Sequence, residues 1–387
     1  MSEPSIYLDY AATTPVDPGV ADALSQALCD ETTLANPSSV HRAGRLSAHR
    51  VATAAEQVAS LLNCDPGQLI WTSGATEADN LAIAGAARYR ADRGRHLVTM
   101  PTEHKAVTDM FRALEKEGFN VTWLAPGPDG MLDIGHLEQA LTDETQLVSV
   151  MHVNNETSVV QDIEAIGELC RSRDILYHVD AAQSAGKLPI DLRRMPIDLL
   201  SLTAHKFYGP KGVGALYVAD RPGCHVEPLL FGGGQQRSIR PGTLPVPLIV
   251  ALGQAAEIAE QKQASDLAHV TRLRAALWDG IEGVEGLVLN GHSSRHYPGI
   301  VNVSVADVDG ESLLLDLEPL CVATGSACNS QNQEPSYVLR SMGRSDAEAE
   351  GAIRFSFGRM STLEDVEQAA GLYVNAVSRL RQLAPAA

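Results

Sequence analysis

The sequence predicts a two-domain α/β protein, with a larger domain built on a mostly parallel, helix-covered sheet and a smaller α+β domain. Its 387 residues exceed the usual size of one domain. Between Pro15 and about Thr203, short β-branched runs alternate with longer amphipathic segments, which is the pattern of βαβ units. From Val301 onwards the predicted strands and helices are shorter. A sheet with helices on both faces is therefore expected first, followed by a separate small domain.

The elements of the larger domain follow from this alternation. Strands are predicted at Leu69–Thr72, His96–Met100, Val121–Leu124, Leu147–Val153, Ile175–Val179 and Leu199–Thr203. Helices are predicted between them at Ala75–Arg90, His104–Glu117 and Ile163–Arg173. Ahead of the first strand, Asp17-Pro18 has the residue types of an N-cap and a first helical position, which predicts a helix that ends at about Cys29.

The second half of the chain begins with a Gly- and Pro-rich stretch, Phe231–Pro247, which we predict to be a structured loop. A long helix at about Leu248–Gly280 is expected to connect the two domains. The smaller domain is predicted to contain Ile300–Val305, Gly310–Leu317, Val322–Ala323, Ile353–Phe357 and a closing helix near Thr362–Leu383. We place the larger domain at residues 15–262 and the smaller one at 1–14 together with 263–387.

Charge and composition exclude several classes of protein. The 30 basic and 48 acidic residues give a net charge of −18, which repels phosphate backbones and anionic lipids, so neither nucleic acid nor a membrane is an expected partner. The apolar runs are shorter than the ~20 residues of a membrane-spanning helix. The N-terminus lacks the pattern of a secretory signal, so we expect a cytoplasmic protein. The 6 cysteines include no CxxC pair, which argues against a disulfide framework and against an intrinsic metal site.

Three features at strand ends point to a cofactor. In Trp71–Glu77 a strand ends in a small-residue turn that opens a helix, which presents backbone N–H groups to an anion. Asp180 follows a strand at the sheet edge where α/β proteins bind ligands. Lys206 follows another strand, and a lysine beside a cleft can form a Schiff base with an aldehyde. Taken singly, these are equally a helix cap, a turn cap and a surface charge.

Together the three features match the requirements of pyridoxal 5'-phosphate (PLP) chemistry. A PLP enzyme needs a lysine for the imine, a carboxylate that keeps the pyridine nitrogen protonated, and a cradle for the phosphate. Lys206, Asp180 and the turn in Trp71–Glu77 occur in a suitable order. The combination therefore predicts a PLP enzyme.

Ten motifs carry a family resemblance: SGATEADN, TEHKAV, MHVNNE, YHVDAAQSAGK, AHKFYGPKG, GGGQQR, RPGT, GSAC, EPSYVLR and RFSFGR. With them the chain resembles the cysteine desulfurases, PLP enzymes of fold type I and of the class V aminotransferase family. More narrowly, it resembles the bacterial housekeeping desulfurases of iron-sulfur cluster assembly. The resemblance extends from Tyr7 to the final helix. It implies that L-cysteine is converted to L-alanine while its sulfur passes to an enzyme cysteine as a persulfide and then to acceptor proteins.

The resemblance also implies roles for residues around the ring of the cofactor. Lys206 would be the Schiff-base lysine, and Asp180 would pair with the pyridinium nitrogen. His104 would stack on the ring and shuttle protons, although its residue type also fits the start of a helix. Gln183 and Asn155 would contact the region of the 3-hydroxyl group, with Asn155 also near the substrate carboxylate.

The phosphate would be bound by Ala75, Thr76, Thr203 and His205, and by Thr243 of a second subunit. This last role requires a homodimer. The resemblance further implies an iron-sulfur scaffold protein and other sulfur acceptors as partners.

The small domain would supply the remaining groups. Arg354 would bind the substrate carboxylate through its two-pronged guanidinium, and its alternative is a surface arginine on an edge strand. Cys328 lies among small and polar residues, which predicts an exposed, mobile loop, whereas Cys321 has the apolar neighbours of a buried cysteine. We therefore predict Cys328 as the nucleophile, which a scaffold-bound cluster would also share, and Cys321 as a core residue.

Three other functions remain as hypotheses. A class V aminotransferase and a selenocysteine lyase would share the cofactor site, although the loop with Cys328 argues against simple transamination. A third is a non-catalytic relative that acts as a platform for sulfur-handling partners.

One departure from the family pattern has a structural consequence, because Ser158 stands where glycine is frequent in a turn that favours positive φ.

Overall fold

The computed structural model describes residues 5–324 and 335–383. In chain order its strands are β1 (Ile6–Tyr7), β2 (Leu69–Thr72), β3 (His96–Thr99), β4 (Asn120–Trp123), β5 (Thr145–Ser149), β6 (Leu176–Asp180), β7 (Leu199–Thr203), β8 (Gly214–Val218), β9 (Leu287–Leu289), β10 (Ile300–Val305), β11 (Leu320–Cys321), β12 (Ala323–Thr324) and β13 (Ile353–Ser356). Its α-helices are α1 (Pro18–Cys29), α2 (Arg42–Leu62), α3 (Ala75–Tyr89), α4 (Lys105–Lys116), α5 (Ile134–Ala140), α6 (Ile163–Ser172), α7 (Val246–Ile281), α8 (Gly310–Asp316), α9 (Tyr337–Ser341), α10 (Asp346–Glu350) and α11 (Leu363–Leu383).

The largest sheet has seven strands in the order β2-β8-β7-β6-β5-β3-β4. From β7 to β4 every neighbouring pair is parallel, whereas β8 runs antiparallel to both β2 and β7. The mostly parallel sheet predicted from the sequence is therefore confirmed. β8 was not predicted, because it follows β7 after a short Gly- and Pro-containing turn and has no crossover helix of its own.

One predicted strand, Leu147–Val153, is wrong in its second half. The strand itself is β5, at Thr145–Ser149, and residues 150–153 lie beyond it. The N–H groups of Val150 and His152 still donate to the carbonyls of His178 and Asp180, at 3.2 and 3.0 Å. The apolar run thus continues along β6 to the C-terminal edge of the sheet. The other five predicted strands of this sheet agree with the observed bounds to within one residue.

Helices cover both faces of the large sheet. Leu147 and Leu199 pack on one face with α3 and α4, and the next residues, Val148 and Leu200, pack on the other face with α2, α6 and α7. This burial on two sides explains why the sequences of the strands are nearly continuous apolar runs.

The C-terminal part contains a four-stranded antiparallel sheet in the order β12-β13-β10-β9. It packs against α11 and the second half of α7, with Leu273 and Leu277 of α7 in this core, while Ile249 of the same helix lies in the core of the large sheet. With 36 residues, α7 is about 54 Å long. The predicted connecting helix thus forms, two residues earlier than expected, and the domain bounds at 15–262 stay a prediction.

The structure also tests the predictions for Ser158 and Cys321. Ser158 has φ of +66°, as its position in place of a glycine predicted, and the turn is held by Asn154 Oδ1, which accepts from the N–H groups of Glu156 and Thr157 at 2.9 Å each. Cys321 is half-buried in β11 rather than inside the core. Of the helices within the described ranges, none combines the length and apolar character that crossing a bilayer requires.

Candidate active site

A cavity of about 570 Å³ lies at the C-terminal ends of β6 and β7, facing β13. Ten of the residues predicted from the sequence line it: Ala75, Thr76, His104, Asn155, Asp180, Gln183, Thr203, His205, Lys206 and Arg354. Thr243 is not among the lining residues of this chain, and Cys328 lies outside the described residues. Segments that are far apart in the chain thus converge on one site.

Lys206 ends a single 3₁₀ turn, Ala204–Lys206, that directly follows β7. Its Nζ donates to the backbone carbonyls of Ala11 and Ala12, the latter at 3.0 Å. These carbonyls hold the amine at the cavity wall instead of in bulk solvent.

The start of α3 forms an anion cradle. The N-cap, Gly74, has no side chain to cap the helix, and its φ of +156° with ψ of −178° is a conformation open essentially to glycine. The first N–H groups of a helix lack partners within the helix, and its positive dipole end attracts anions. Ala75 and Thr76 open the helix, and Thr203 lies beside Gly74 in the cavity lining.

His205 stands beside this cradle as an uncharged ring. Burial and the neighbouring Lys206 and Lys211 lower the pKa of His205 to about 4. One ring nitrogen, Nδ1, lies 3.2 Å from Thr13 Oγ1. The imidazole therefore offers hydrogen bonding and not a charge at neutral pH.

Asp180 is the last residue of β6, and it is buried. Its Oδ1 accepts from the N–H of Ala182 at 2.8 Å. Burial and the nearby Asp79 together raise its pKa to about 6, against the opposing effect of His104. A cation beside Asp180 would be needed to stabilise its anion fully, which suits a protonated pyridine nitrogen.

Two more buried carboxyl groups, Asp79 and Glu103, lie near Asp180. Burial raises the pKa of Asp79 to about 7 and that of Glu103 well above its usual value. His178 Nε2 lies 3.5 Å from Asp79 Oδ1. Of these three carboxyl groups, Asp180 therefore ionises most readily.

His104 is the N-cap of α4, and its Nδ1 accepts from the N–H of Ala106 at 3.1 Å. Because Nδ1 uses its lone pair in this bond, the proton of the neutral ring is on Nε2. The helix start thus fixes both the orientation and the tautomer of a ring that lines the cavity.

Arg354 lies on β13, which has neighbours on both sides, so the alternative of a surface arginine on an edge strand is wrong. Its Nη1 donates to the carbonyl of Asn155 at 2.9 Å, and its Nη2 donates to Asp9 Oδ1 at 2.7 Å. Arg354 Nε and Asn155 Oδ1 are buried and have no hydrogen-bond partner among the described residues. Both atoms keep hydrogen-bonding capacity for a polar ligand.

These residues fit PLP. The start of α3 can hold a phosphate, Asp180 a protonated ring nitrogen and Lys206 an aldehyde carbon. Within the described part of the chain the buried Asn155 Oδ1 has no hydrogen-bond partner, and a ligand in the cavity would supply one.

Sequence reasoning missed several residues of the site. Asp9 and Ala11 come from the N-terminal segment beside β1, where no periodic pattern marks a cavity, and Ala11 acts through its backbone carbonyl. Lys211 lies inside the motif AHKFYGPKG, but nothing in the sequence shows which motif residues face the cavity.

Comparison with known proteins shows the family of this chain. The family model of the class-V aminotransferases matches residues 6–369. Cysteine desulfurase IscS of Enterobacter sp. (strain 638) is 51% identical over 381 residues, which are 98% of this chain and 94% of the relative. IscS of Klebsiella pneumoniae subsp. pneumoniae gives the same identity and coverage.

Solved structures show the same architecture. A NIFS-like protein superposes with a TM-score of 0.89 at 33% identity, covering 97% of this chain and 100% of the other. SspA in complex with cysteine gives a TM-score of 0.82 at 38% identity, with 91% and 99% of the two chains covered.

Proposed function

This chain belongs to the class-V aminotransferase family and acts as a cysteine desulfurase, and we propose that it removes sulfur from L-cysteine in the cavity between β6, β7 and β13. Its cofactor is PLP, as the family implies. The observation that carries the proposal is the convergence of Lys206, Asp180, Arg354 and the start of α3 on one cavity.

Lys206, Asp180 and the start of α3 each have a proposed task in binding or using the cofactor. PLP supplies an electron sink that makes the substrate Cα acidic and weakens the bond from Cβ to sulfur. Lys206 holds the cofactor through Nζ and then moves the proton at the substrate Cα. Asp180 holds the proton on the pyridine nitrogen, while the N–H groups of Ala75 and Thr76 bind the phosphate.

The substrate is oriented from the small sheet. Arg354 binds the carboxylate of L-cysteine through its guanidinium. Asn155 Oδ1, which no described residue hydrogen-bonds, accepts from a donor of the substrate or cofactor. His104, with its proton on Nε2, covers the cavity and moves protons near the ring.

Cys328 would accept the sulfur. Ala323, five residues earlier, is the strand partner of Arg354. On the other side of this segment, Ser336 Oγ donates to Glu156, which adjoins Asn155. Both flanks of the Cys328 segment are thus anchored to neighbours of cavity residues. As a thiolate, Cys328 attacks the substrate sulfur, a sulfur-sulfur bond forms, the Cβ–sulfur bond breaks, and the carbon skeleton is protonated to alanine.

A homodimer would complete the site. Thr243 is exposed and does not line the cavity of its own chain, so its proposed contact with phosphate needs a second subunit. Phe231 and Leu230, in the approach to the same loop, are 88% and 53% exposed, as expected for apolar residues that a partner covers. The sulfur would then pass to an iron-sulfur scaffold protein and other acceptors in the cytoplasm.

The experiment is to incubate the PLP-loaded protein with L-cysteine and measure alanine and sulfur release. Amino transfer to a keto acid and turnover of L-selenocysteine are measured in parallel. We expect alanine and sulfane sulfur in equal amounts. Efficient amino transfer without sulfur release would show an aminotransferase instead, and a protein that binds no PLP would be a non-catalytic relative.

A further inference from the structure

Lys187 is a partly buried lysine that has no role in the chemistry proposed so far. It lies one turn beyond Gln183, in the segment after β6. Its Nζ donates to Gln183 Oε1 at 3.0 Å and lies 5.5 Å from the centre of the Tyr297 ring. Burial lowers its pKa to about 7, and the positive charges of Lys206 and Arg354 act in the same direction. An amine in this environment needs a specific contact to offset its desolvation.

The side-chain amide of Gln183 is fixed from two sides. The carbonyl oxygen of Ala11 only accepts, so Nε2 faces it, at 2.7 Å. Lys187 Nζ donates, so Oε1 faces Lys187. In the reversed amide, Oε1 would face the carbonyl oxygen of Ala11, and Nε2 would face Nζ of Lys187. The hydrogen-bond partners therefore determine the orientation of the amide, which atom positions alone leave ambiguous.

Gln183 lines the cavity, and its Nε2 carries a second hydrogen. Because Oε1 faces Lys187 and only one Nε2 hydrogen bonds to Ala11, the other Nε2 hydrogen remains as a donor for a ligand in the cavity. We propose that Lys187 is a positioning residue that holds the Gln183 amide so that Nε2 donates to the phenolic oxygen of PLP. The proposal rests on PLP binding in this cavity.

A donor at the phenolic oxygen has a measurable effect. It stabilises the anionic oxygen and withdraws electron density from it, so the adjacent nitrogen, contributed by Lys206, holds a proton less tightly. Loss of Lys187 would leave the amide held by Ala11 alone, so that its oxygen would turn towards the phenolic oxygen in a larger fraction of molecules. The pH midpoint of the visible absorption band of the bound cofactor would then rise.

The test compares this midpoint in the PLP-loaded wild type, Lys187→Met and Lys187→Arg. We expect Lys187→Met to raise it by roughly one pH unit, and Lys187→Arg, which keeps a donor, to restore most of the wild-type value. An unchanged midpoint in Lys187→Met overturns the proposal. If Lys187→Met does not fold, Lys187→Leu is measured in the same way.

A second pair of variants separates the positioning effect of Lys187 from the effect of its charge. This is needed because removal of a positive charge would also raise the pH midpoint of the absorption band. In a Gln183→Ala background we expect Lys187→Met to add almost no shift, since there is no amide to position. An equal shift in both backgrounds means that Lys187 acts by its charge and overturns the proposal. The other groups facing Lys187 (Lys206, His205, Arg354 and Tyr297) are the same in all variants. A wild type without a visible band contradicts the proposed function instead.

Discussion

Arg354 and Asp9 form an ion pair at the edge of the cavity, with Nη2 of the guanidinium 2.7 Å from Oδ1 of the carboxylate. The arginine side chain is only 5% exposed, and the aspartate side chain is 23% exposed. The pair joins β13 to the segment after β1. A substrate carboxylate that binds Arg354, as we propose, would therefore share a guanidinium that is already oriented by Asp9 and by the carbonyl of Asn155.

Arg354→Lys should weaken the binding of L-cysteine. Lysine is a point charge without the two-pronged geometry that a carboxylate and Asp9 both use. We expect KM for L-cysteine to rise about 10- to 100-fold, a loss of about 1.4 to 2.8 kcal/mol, with a smaller change in kcat. Steady-state kinetics measure this, with Arg340→Lys as the exposed control. An unchanged KM would remove Arg354 from substrate binding.

Lys206→Ala should abolish both the covalent link to the cofactor and turnover. The protein loaded with PLP should lose its absorption band near ~400 nm, and alanine formation should fall by at least about 1,000-fold. Lys116→Ala, at an exposed lysine of α4, is the matched control and should keep both. Survival of the band in Lys206→Ala would assign the imine to another lysine.

The fold was predictable wherever burial on two sides produces continuous apolar runs. β2 and β7 were predicted with their observed bounds, since Leu69–Thr72 and Leu199–Thr203 are short apolar runs between turn signals. β8 and the pairing of β1 with β11 were not predicted. β8 follows β7 after a short turn without a crossover helix, so it departs from the βαβ alternation, and β1 pairs with a strand far away in the chain, which local periodicity does not encode.

The candidate site was predictable where side chains follow strand ends. Asp180 and Lys206 end or follow apolar strands, so their convergence at one sheet edge could be expected. Lys187 and Ala11 could not be anticipated, because one acts through the orientation of Gln183 and the other through its backbone carbonyl.

Asp180→Asn should impair the electron sink without removing the cofactor. A neutral amide cannot stabilise a protonated pyridine nitrogen, so we expect kcat to fall by about 100-fold or more. Asp180→Glu keeps the charge and should retain more activity. The measurement is single-turnover formation of alanine together with the affinity for PLP. Equal activities of the two variants would contradict the proposed pairing.

The stability of the protein should depend on pH through Asp79. Its carboxyl has a pKa of about 7 in the folded state and about 4 when unfolded. The folded state therefore binds more protons, so stability falls as pH rises from about 4 to about 7 and stays lower above that range.

Asp79→Asn cannot ionise and should remove this dependence. Its free energy of unfolding should exceed that of the wild type by on the order of 3 kcal/mol at pH 8 and by less at pH 5. Denaturant unfolding at the two pH values checks this, with the exposed Asp143→Asn as control. A variant that is less stable than wild type at pH 8 would show that the Asp79 carboxylate is itself stabilising.

The central claim is that L-cysteine bound at Lys206 and Arg354 gives its sulfur to Cys328. Mass spectrometry of the protein treated with L-cysteine tests it most directly. The account predicts an adduct of about +32 Da on Cys328, retained in Cys321→Ser and absent in Cys328→Ser. An adduct on another cysteine, or alanine formed at the wild-type rate by Cys328→Ser, would contradict it.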